Sequence, residues 1–286
     1  MAQGHHGLPD EGVQSNLHLE VLVKECSSLE QQHGTPKWSE GARAEPTAAW
    51  PMRLLGIALL LGAAAVPGGS FKLRGQPCIF DRSRYNCGAT LISQRWVLTA
   101  AHCHTGPIHV RLGKYNLYTR EGSEQHRAVA KALIHPGYNC TDHNNDIMLL
   151  KLHTPAALNR YVQPLGLASR CAEPGKQCSI SGWSNAINAQ ENVSVILYCS
   201  TVHTISDEQC AADFPGHVNG NMLCAGLRGG GTDSCEGDSG GPLVCDGKLQ
   251  GVVSWGDVPC LSTLKPGVYM NVCKYYNWLL ATMWAN

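Results

Sequence analysis

The chain has no excess of charge of either sign, because its 22 basic and 22 acidic side chains cancel over 286 residues. Without a basic excess, the composition predicts neither nucleic acid nor an anionic membrane surface as a partner. The sequence also has no pair of cysteines at the CxxC spacing of zinc sites, although it contains 14 cysteines. Cysteines this numerous, without metal-type spacing, predict disulfides and an oxidising compartment.

Helical periodicity is almost missing from the chain until its last segment. From Leu73 onward, short apolar stretches alternate with Gly, Pro, Asn and Asp, a pattern typical of an all-β sandwich or barrel. The expected strands include Ala89–Ile92, Trp96–Leu98, Ile108–Leu112, Ile147–Leu152, Ser179–Ser181, Leu243–Cys245, Leu249–Ser254 and Gly267–Val272. The last segment, Val272 to Trp284, has apolar residues at helical spacing and predicts a terminal amphipathic helix.

The first 70 residues differ from the rest in composition. Residues 1–51 are polar, without a sustained apolar period, and we expect a disordered or extraneous extension in which Cys26 has no evident partner. Residues 52–70 combine one arginine, an apolar run and small residues, which predicts a secretion signal. The uncharged run is long enough for a signal anchor as the alternative. The chain is therefore expected to be secreted, or else a type II membrane-anchored protein, with the rest of the chain outside the cytosol.

Three separated stretches carry the chemistry. Residues 233–242, DSCEGDSGGP, place Ser239 between glycines that permit a tight turn, and a serine nucleophile needs both a base and an oxyanion site. Residues 99–103, TAAHC, supply His102, and residues 145–150, NDIMLL, supply Asp146 at the start of an apolar run. Each stretch alone has an ordinary interpretation, such as a surface turn or a histidine packed in the core. Their chain order, His then Asp then Ser, favours catalysis.

On these motifs the chain resembles the trypsin-like serine proteases over residues 72–286. The sequences MLCAG at 222–226 and VCKY at 272–275 resemble the tissue-kallikrein branch. The resemblance implies two antiparallel six-stranded Greek-key β-barrels with the terminal helix behind them and an active site in the cleft. In that site Ser239 attacks the peptide carbonyl, His102 transfers the proton, and Asp146 orients His102. The N–H groups of Gly237 and Ser239 would form the oxyanion hole.

The resemblance also implies a specificity for basic residues. Asp233 matches the floor of the primary pocket, where a buried carboxylate favours a cation, and Ser234 would lie beside it. Gly256 and Gly267 match positions that keep this pocket open, and the edge strand that pairs with substrate holds Ser254, Trp255 and Gly256. We expect a monomer that cleaves proteins or peptides after Arg or Lys and is inhibited by protein inhibitors. No metal or other cofactor is expected, since Lys114 stands where a calcium ligand of trypsin would be.

Disulfides and glycosylation follow from the same comparison. The implied bridges are Cys78–Cys199, Cys87–Cys103, Cys171–Cys273, Cys178–Cys245, Cys210–Cys224 and Cys235–Cys260. Cys140 is left over, as a free thiol, an intermolecular link or a mispairing hazard. Sequons at Asn139 and Asn192 predict glycosylation in an extracellular protein.

The N-terminal part of the domain departs from the family pattern. Residues 71–72 would be a short propeptide, and cleavage by an activating protease after Lys72 would free Leu73 to pair with Asp238. The stretch before Cys78 is one residue short, and the eight residues between Cys78 and Cys87 leave no room for a further strand. The first barrel is therefore expected to lack part of a strand, and Ser184 stands after Trp183 where glycine is usual.

Three functions remain open at this point. The first is a secreted serine endopeptidase that is made as a zymogen, with residues 73–286 as its protease domain. The second is a catalytically weak or inactive secreted homologue that acts by binding, which the shortened segment favours. The third is a membrane-anchored extracellular protease.

Overall fold

The computed structural model describes residues 76–81, 84–184, 193–232, 234, 238–257 and 264–286. The predicted extension (1–51), signal (52–70), propeptide (71–72) and Leu73 lie outside these residues. Within the described part the fold is mostly β, as the apolar pattern predicts. None of the helices there is long and apolar enough to cross a membrane.

The N-terminal half is a seven-stranded antiparallel sheet in the order β2-β1-β5-β6-β7-β4-β3. Its strands are β1 (Gln76–Asp81), β2 (Arg84–Gly88), β3 (Thr90–Ser93), β4 (Trp96–Thr99), β5 (Ile108–Lys114), β6 (Gln125–Ile134) and β7 (Met148–Leu152). The two outer strands, β2 and β3, are separated only by Ala89, so the sheet curls on itself. Its concave side is filled by aliphatic side chains of β4, β5 and β7, which are almost completely buried. A short 3₁₀ helix, Ala101–Cys103, follows β4.

The C-terminal half is a closed six-stranded barrel in the order β10-β13-β12-β11-β8-β9. Its strands are β8 (Gln177–Ser184), β9 (Val193–Thr204), β10 (Met222–Gly226), β11 (Pro242–Cys245), β12 (Lys248–Trp255) and β13 (Gly267–Asn271). Two helices accompany it, α1 (Asp207–Asp213) and α2 (Val272–Ala285). Helix α2 buries Val272, Tyr275 and Leu279, which confirms the predicted amphipathic terminal helix.

The two-barrel fold class is confirmed, with the first unit present as a curled sheet instead of a closed barrel. The six-residue strand β1 pairs with β2 on one side and with β5 on the other. Cys78 lies inside this strand, fully buried between its two neighbours.

This placement shows that the predicted bridge Cys78–Cys199 is wrong. Cys78 is a free thiol whose Sγ donates to the carbonyl oxygen of Arg111. Cys199 is disulfide-bonded, but to a cysteine other than Cys78. The prediction failed because it took Cys78 for a cysteine that precedes the first strand, whereas Cys78 belongs to that strand.

Four of the predicted bridges are present: Cys87–Cys103, Cys171–Cys273, Cys178–Cys245 and Cys210–Cys224. The first of these ties the end of β2 to the 3₁₀ helix and so restrains the segment around His102. Cys140 is free and exposed, one of the three states considered for it. The predicted bridge Cys235–Cys260 lies outside the described residues, as does Cys26.

Candidate active site

The 3₁₀ helix after β4 and the loop before β7 bring His102 and Asp146 together. The backbone N–H of His102 donates to Oδ1 of Asp146 at 2.9 Å. The ring atom Nδ1 of His102 lies 2.7 Å from Oδ2 of the same carboxylate. Asp146 is fully buried, while the His102 side chain is 26% exposed. The carboxylate therefore holds the histidine by two bonds and leaves part of the ring accessible.

The charge of Asp146 fixes the tautomer of His102. Burial acts to raise the pKa of Asp146, but hydrogen bonding to His102, with smaller contributions from His143 and Ser254, holds this pKa well below its usual value. An ionised carboxylate can only accept hydrogen bonds, so Nδ1 of His102 must carry the proton. The other nitrogen, Nε2, is then free to take a proton from a nucleophile.

Two further side chains approach Asp146, and the sequence motifs did not reveal either contact. The Ser254 hydroxyl, on β12, donates to Oδ2 of Asp146 at 2.5 Å. Nδ1 of His143 lies 3.9 Å from the same oxygen, which is an ion-pair distance and too long for a hydrogen bond. Asp146 raises the pKa of His143 against the opposing effect of burial. The His143 and His102 rings meet edge to face, with centroids 5.9 Å apart.

Ser239 lies in a turn that is fastened to the other half of the molecule. The backbone N–H of Gly88 donates to the carbonyl oxygen of Ser239 at 2.9 Å. Gly240 has a φ of +77°, and a Cβ there would come within 2.2 Å of Oγ1 of Thr99. Thr99 lies three residues before His102. The predicted nucleophile and the predicted base therefore both lie at the interface between the N-terminal and C-terminal halves.

The turn around Ser239 is also closed on itself and backed by a buried carboxylate. The N–H of Gly241 donates to the carbonyl oxygen of Asp238 at 2.8 Å. The Asp238 side chain is almost completely buried. It receives a hydrogen bond of 3.1 Å from the hydroxyl of Tyr198 and packs on Gly182.

The predicted pocket residues that the structure describes also come together. The Ser234 hydroxyl is buried and contacts Oγ1 of Thr232 at 2.9 Å and the hydroxyl of Tyr269 at 3.3 Å. A Cβ on Gly267 would lie 2.8 Å from Oγ of Ser234, and one on Gly256 would lie 3.8 Å from the Cα of Gly267. Gly256 therefore faces Gly267, and Gly267 faces the hydroxyl of Ser234.

Trp255, at the end of β12, packs edge to face on Phe214 with ring centroids 5.0 Å apart. Several other predicted residues lie outside the described residues: Asp233, Gly237 and Asn192. The sequon residue Asn139 is described and is exposed, and its side chain accepts from the N–H of Thr141 at 2.9 Å.

Among the described residues, two groups of side chains around the site have atoms placed as metal ligands would be. His102, His143 and Asp146 offer ligand atoms within 4.8 Å of one another, as do His102 and the bridged cysteines 87 and 103. In the loop after β5, the ammonium of Lys114 is fully buried and bonds the carboxylate of Glu124. It also donates to the carbonyl oxygen of Thr119 at 2.8 Å. A lysine therefore supplies the positive charge in this loop.

The chain is similar to known proteins over most of its length. A family model described as Trypsin matches residues 66–279. Kallikrein-15 of Homo sapiens is 45% identical over 253 residues, which cover 82% of this chain and 99% of that protein. Anionic trypsin of Canis lupus familiaris is 49% identical over 200 residues, covering 70% of this chain and 81% of that protein. The solved structure of neuropsin, a serine protease of mouse brain, aligns with a TM-score of 0.70 and 44% identity, covering 74% of this chain and 95% of that one.

Proposed function

Because the chain belongs to the trypsin family of serine proteases, we propose that it is a secreted endopeptidase that cleaves after Arg or Lys. The observation that carries this proposal is that two hydrogen bonds join His102 to Asp146 beside the turn of Ser239. Only a histidine with its Nε2 free can act as a general base towards a serine, and the ionised Asp146 leaves it in that tautomer.

The proposed reaction is acyl transfer in two steps. Oγ of Ser239 attacks the substrate carbonyl as its proton moves to Nε2 of His102, and the leaving amine then takes that proton. Water, deprotonated by His102, hydrolyses the acyl-enzyme and regenerates the serine. Asp146 stays ionised throughout and stabilises the imidazolium, while the N–H groups of Gly237 and Ser239 would hold the oxyanion.

The proposed specificity rests on Asp233 and on the open space at Gly256. A Cβ on Gly256 would have its nearest atom 3.8 Å away, which supports a pocket that can hold a long side chain, and the carboxylate of Asp233 would pair with its cation. The partners would then be protein or peptide substrates with Arg or Lys before the cleaved bond, protein inhibitors, and a protease that cleaves after Lys72.

The activation step would use the closely packed surroundings of Asp238. Ile180, Gly182, Val253 and Tyr198 are among the residues there. After cleavage at Lys72 the new ammonium at Leu73 would pair with Asp238, and this packing would have to open to admit it. The signal at 52–70 would be removed during secretion.

The test incubates the secreted chain, cleaved after Lys72, with a library of peptides. In this library each amino acid in turn stands immediately before the bond to be cleaved. We expect cleavage after Arg and Lys, one equivalent of label at Ser239 from a serine-directed covalent inhibitor, and neither in Ser239→Ala. Asp233→Ser should lower kcat/KM for basic peptides by orders of magnitude and leave labelling of Ser239 intact. A preference for aromatic residues would overturn the specificity, and no labelling of Ser239 would overturn the activity.

A further inference from the structure

Asp146 is the middle residue of a tight turn, and the residue before it has an uncommon backbone conformation. The N–H of Ile147 donates to the carbonyl oxygen of Asn145 at 2.7 Å, which closes a three-residue turn around Asp146. Asn145 has a φ of +53°, in the left-handed region that residues other than glycine seldom adopt. The direction of the Asp146 side chain therefore depends on what holds Asn145 in this conformation.

The side-chain amide of Asn145 is held from both halves of the molecule. Its Nδ2 donates to the carbonyl oxygen of Gly137, in the N-terminal half, at 2.9 Å. Its Oδ1 accepts a hydrogen bond of 3.1 Å from the hydroxyl of Tyr275, in the first turn of α2. The amide nitrogen Nδ2 of Asn221, just before β10, lies 3.4 Å from the same oxygen. The amide of Asn145 therefore fastens the turn around Asp146 to the C-terminal half.

Tyr275 is a firmly placed donor. It is only 3% exposed, and the disulfide Cys171–Cys273 holds α2 two residues before it. Burial, with a smaller contribution from the charge of Asp146, raises the pKa of Tyr275, so its phenol keeps the proton that it donates. The hydroxyl also lies 3.7 Å from the sulfur of Met270, but a thioether accepts hydrogen bonds only weakly, so the amide oxygen is the stronger acceptor of the two.

The consequence for catalysis passes through the hydrogen bond between Asp146 and His102. Oδ2 of Asp146 lies 2.7 Å from Nδ1 of His102, and a small rotation of the carboxylate would lengthen this bond. Without the contacts of its amide, the backbone of Asn145 would be free to leave the left-handed region and turn the Asp146 side chain away. A small misplacement of a catalytic group lowers a reaction rate steeply, so the orientation of Asp146 should determine kcat.

We propose that Asn145 and Tyr275 are positioning residues: the phenol on the C-terminal helix holds the amide of Asn145, and this amide holds the turn that directs Asp146 at His102. The kinetic consequence rests on the proposed function, whereas the geometry of the pair of Asp146 and His102 does not. Helix α2 then serves the proposed active site as well as the core.

The experiment uses the secreted chain, cleaved after Lys72, and measures kcat and KM with an arginine peptide. Tyr275→Phe keeps the buried ring and removes the donor, so we expect kcat to fall about tenfold to a hundredfold while KM changes by less than about threefold. Proton NMR of the same protein follows the Nδ1–H of His102, because a proton in a short hydrogen bond to a carboxylate resonates at low field. In Tyr275→Phe this resonance should move to higher field, since the bond to Asp146 lengthens.

Asn145→Gly tests the other member of the pair. Glycine readily adopts a positive φ, so this variant removes the amide without opposing the turn. It should lower kcat and move the resonance as Tyr275→Phe does. Because both substitutions break the same contact, the double variant should lose no more activity than Asn145→Gly alone.

The matched control is Tyr276→Phe, which removes the phenol of the next, partly exposed tyrosine of α2. It should keep the kcat, the KM and the low-field resonance of the parent chain. Thermal unfolding gives the temperature range in which each variant is fully folded, and all measurements are made there. An unchanged kcat or resonance in Tyr275→Phe, a loss confined to KM, or additive losses in the double variant would each overturn the proposal. A parent chain without activity would overturn the proposed function, and the resonances would still decide whether the two residues position Asp146.

Discussion

The hydroxyl of Ser254 lies 2.5 Å from Oδ2 of Asp146, the same oxygen atom that Nδ1 of His102 approaches. One buried carboxylate oxygen thus accepts hydrogen bonds from both halves of the molecule. Asp146 also accepts the backbone N–H of His102, so two of these three hydrogen bonds come from its own half and the third, from Ser254, comes from the C-terminal half.

Asp146→Asn should lower kcat by roughly 10³- to 10⁴-fold with little change in KM. The amide is nearly the same size as the carboxylate, but its NH₂ group would favour the opposite tautomer of His102 and block the base. Steady-state kinetics with an arginine peptide measure the effect. Asp142→Asn changes an exposed carboxylate four residues away and should keep full activity. A loss below tenfold in Asp146→Asn would show that the histidine does not depend on this partner.

The two glycines beside Ser234 should respond differently to alanine. At Gly267 the new methyl group would meet Oγ of Ser234 at 2.8 Å, so we expect a loss of roughly 1–3 kcal/mol in the free energy of unfolding. At Gly256 the nearest atom is 3.8 Å away, so Gly256→Ala should unfold like the wild type. If this space receives the substrate side chain, Gly256→Ala should still lower kcat/KM for arginine peptides by about tenfold or more. Denaturant unfolding and kinetics on the two variants check the contrast.

The two free thiols among the described residues should react at very different rates with an alkylating reagent. Cys140 is exposed, whereas Cys78 is fully buried and burial raises the pKa of its thiol, so almost none of the reactive thiolate forms. Mass mapping of native protein should find label on the peptide of Cys140 and not on that of Cys78 until the protein is unfolded. Cys140→Ser should remove the native label without affecting folding. A mapped bridge between Cys78 and Cys199 would contradict the structure.

Lys114→Met should destabilise the protein by about 3–5 kcal/mol, because it leaves the buried carboxylate of Glu124 without its cation. The double variant Lys114→Met with Glu124→Leu should recover much of this loss, since it replaces the pair with apolar groups. Thermal and denaturant unfolding measure both. Unchanged stability in the single variant would mean that the Glu121 N–H and the His126 ring, which also contact the Glu124 carboxylate, suffice without the lysine.

His135 should make the fold sensitive to acid. Its ring packs on Trp278 with centroids 4.7 Å apart, and its Nδ1 accepts the N–H of Gly137. Burial lowers its pKa below the usual 6.5, so the unfolded chain binds a proton more readily than the folded one between these two pKa values. Stability is then complete above pH 6.5 and declines as the pH falls through that window.

The measurement is the free energy of unfolding at a series of pH values from neutral to mildly acidic. His135→Gln, which can still accept the bond from Gly137, should show a smaller decline than the wild type. His104→Gln, at an exposed histidine, should follow the wild type. Parallel curves for all three proteins would exclude His135 as the source.

The sequence predicted the elements whose signals are local. Short apolar runs gave most of the strands, and the spacing of Val272 and Leu279 gave the terminal helix. The bond from Ser254 to Asp146 joins residues 108 positions apart, and no local pattern encodes such a contact. Strand β6 is also hard to predict, because none of its residues is fully buried and its pairing with β5 and β7 determines its conformation.

The error over Cys78 has a similar origin. The short spacing between Cys78 and Cys87 signals a changed segment, but cysteine spacing alone does not say whether Cys78 precedes a strand or lies inside one. Only the pairing of β1 with β2 and β5 shows that this side chain faces the interior. The contact between Tyr198 and Asp238 was missed because a tyrosine in a strand has no distinctive sequence context.

The hydrogen bond from Gly88 fastens Ser239, the proposed nucleophile, to strand β2, which supplies no side chain to the proposed site. The proposed activity would therefore depend on the interface between the two halves, and neither half would be active alone. A slight parting of the two halves, far short of melting either one, would carry the serine away from its base while every chemical group remained intact. Activity should therefore fall when the interface between the halves loosens, before either half unfolds.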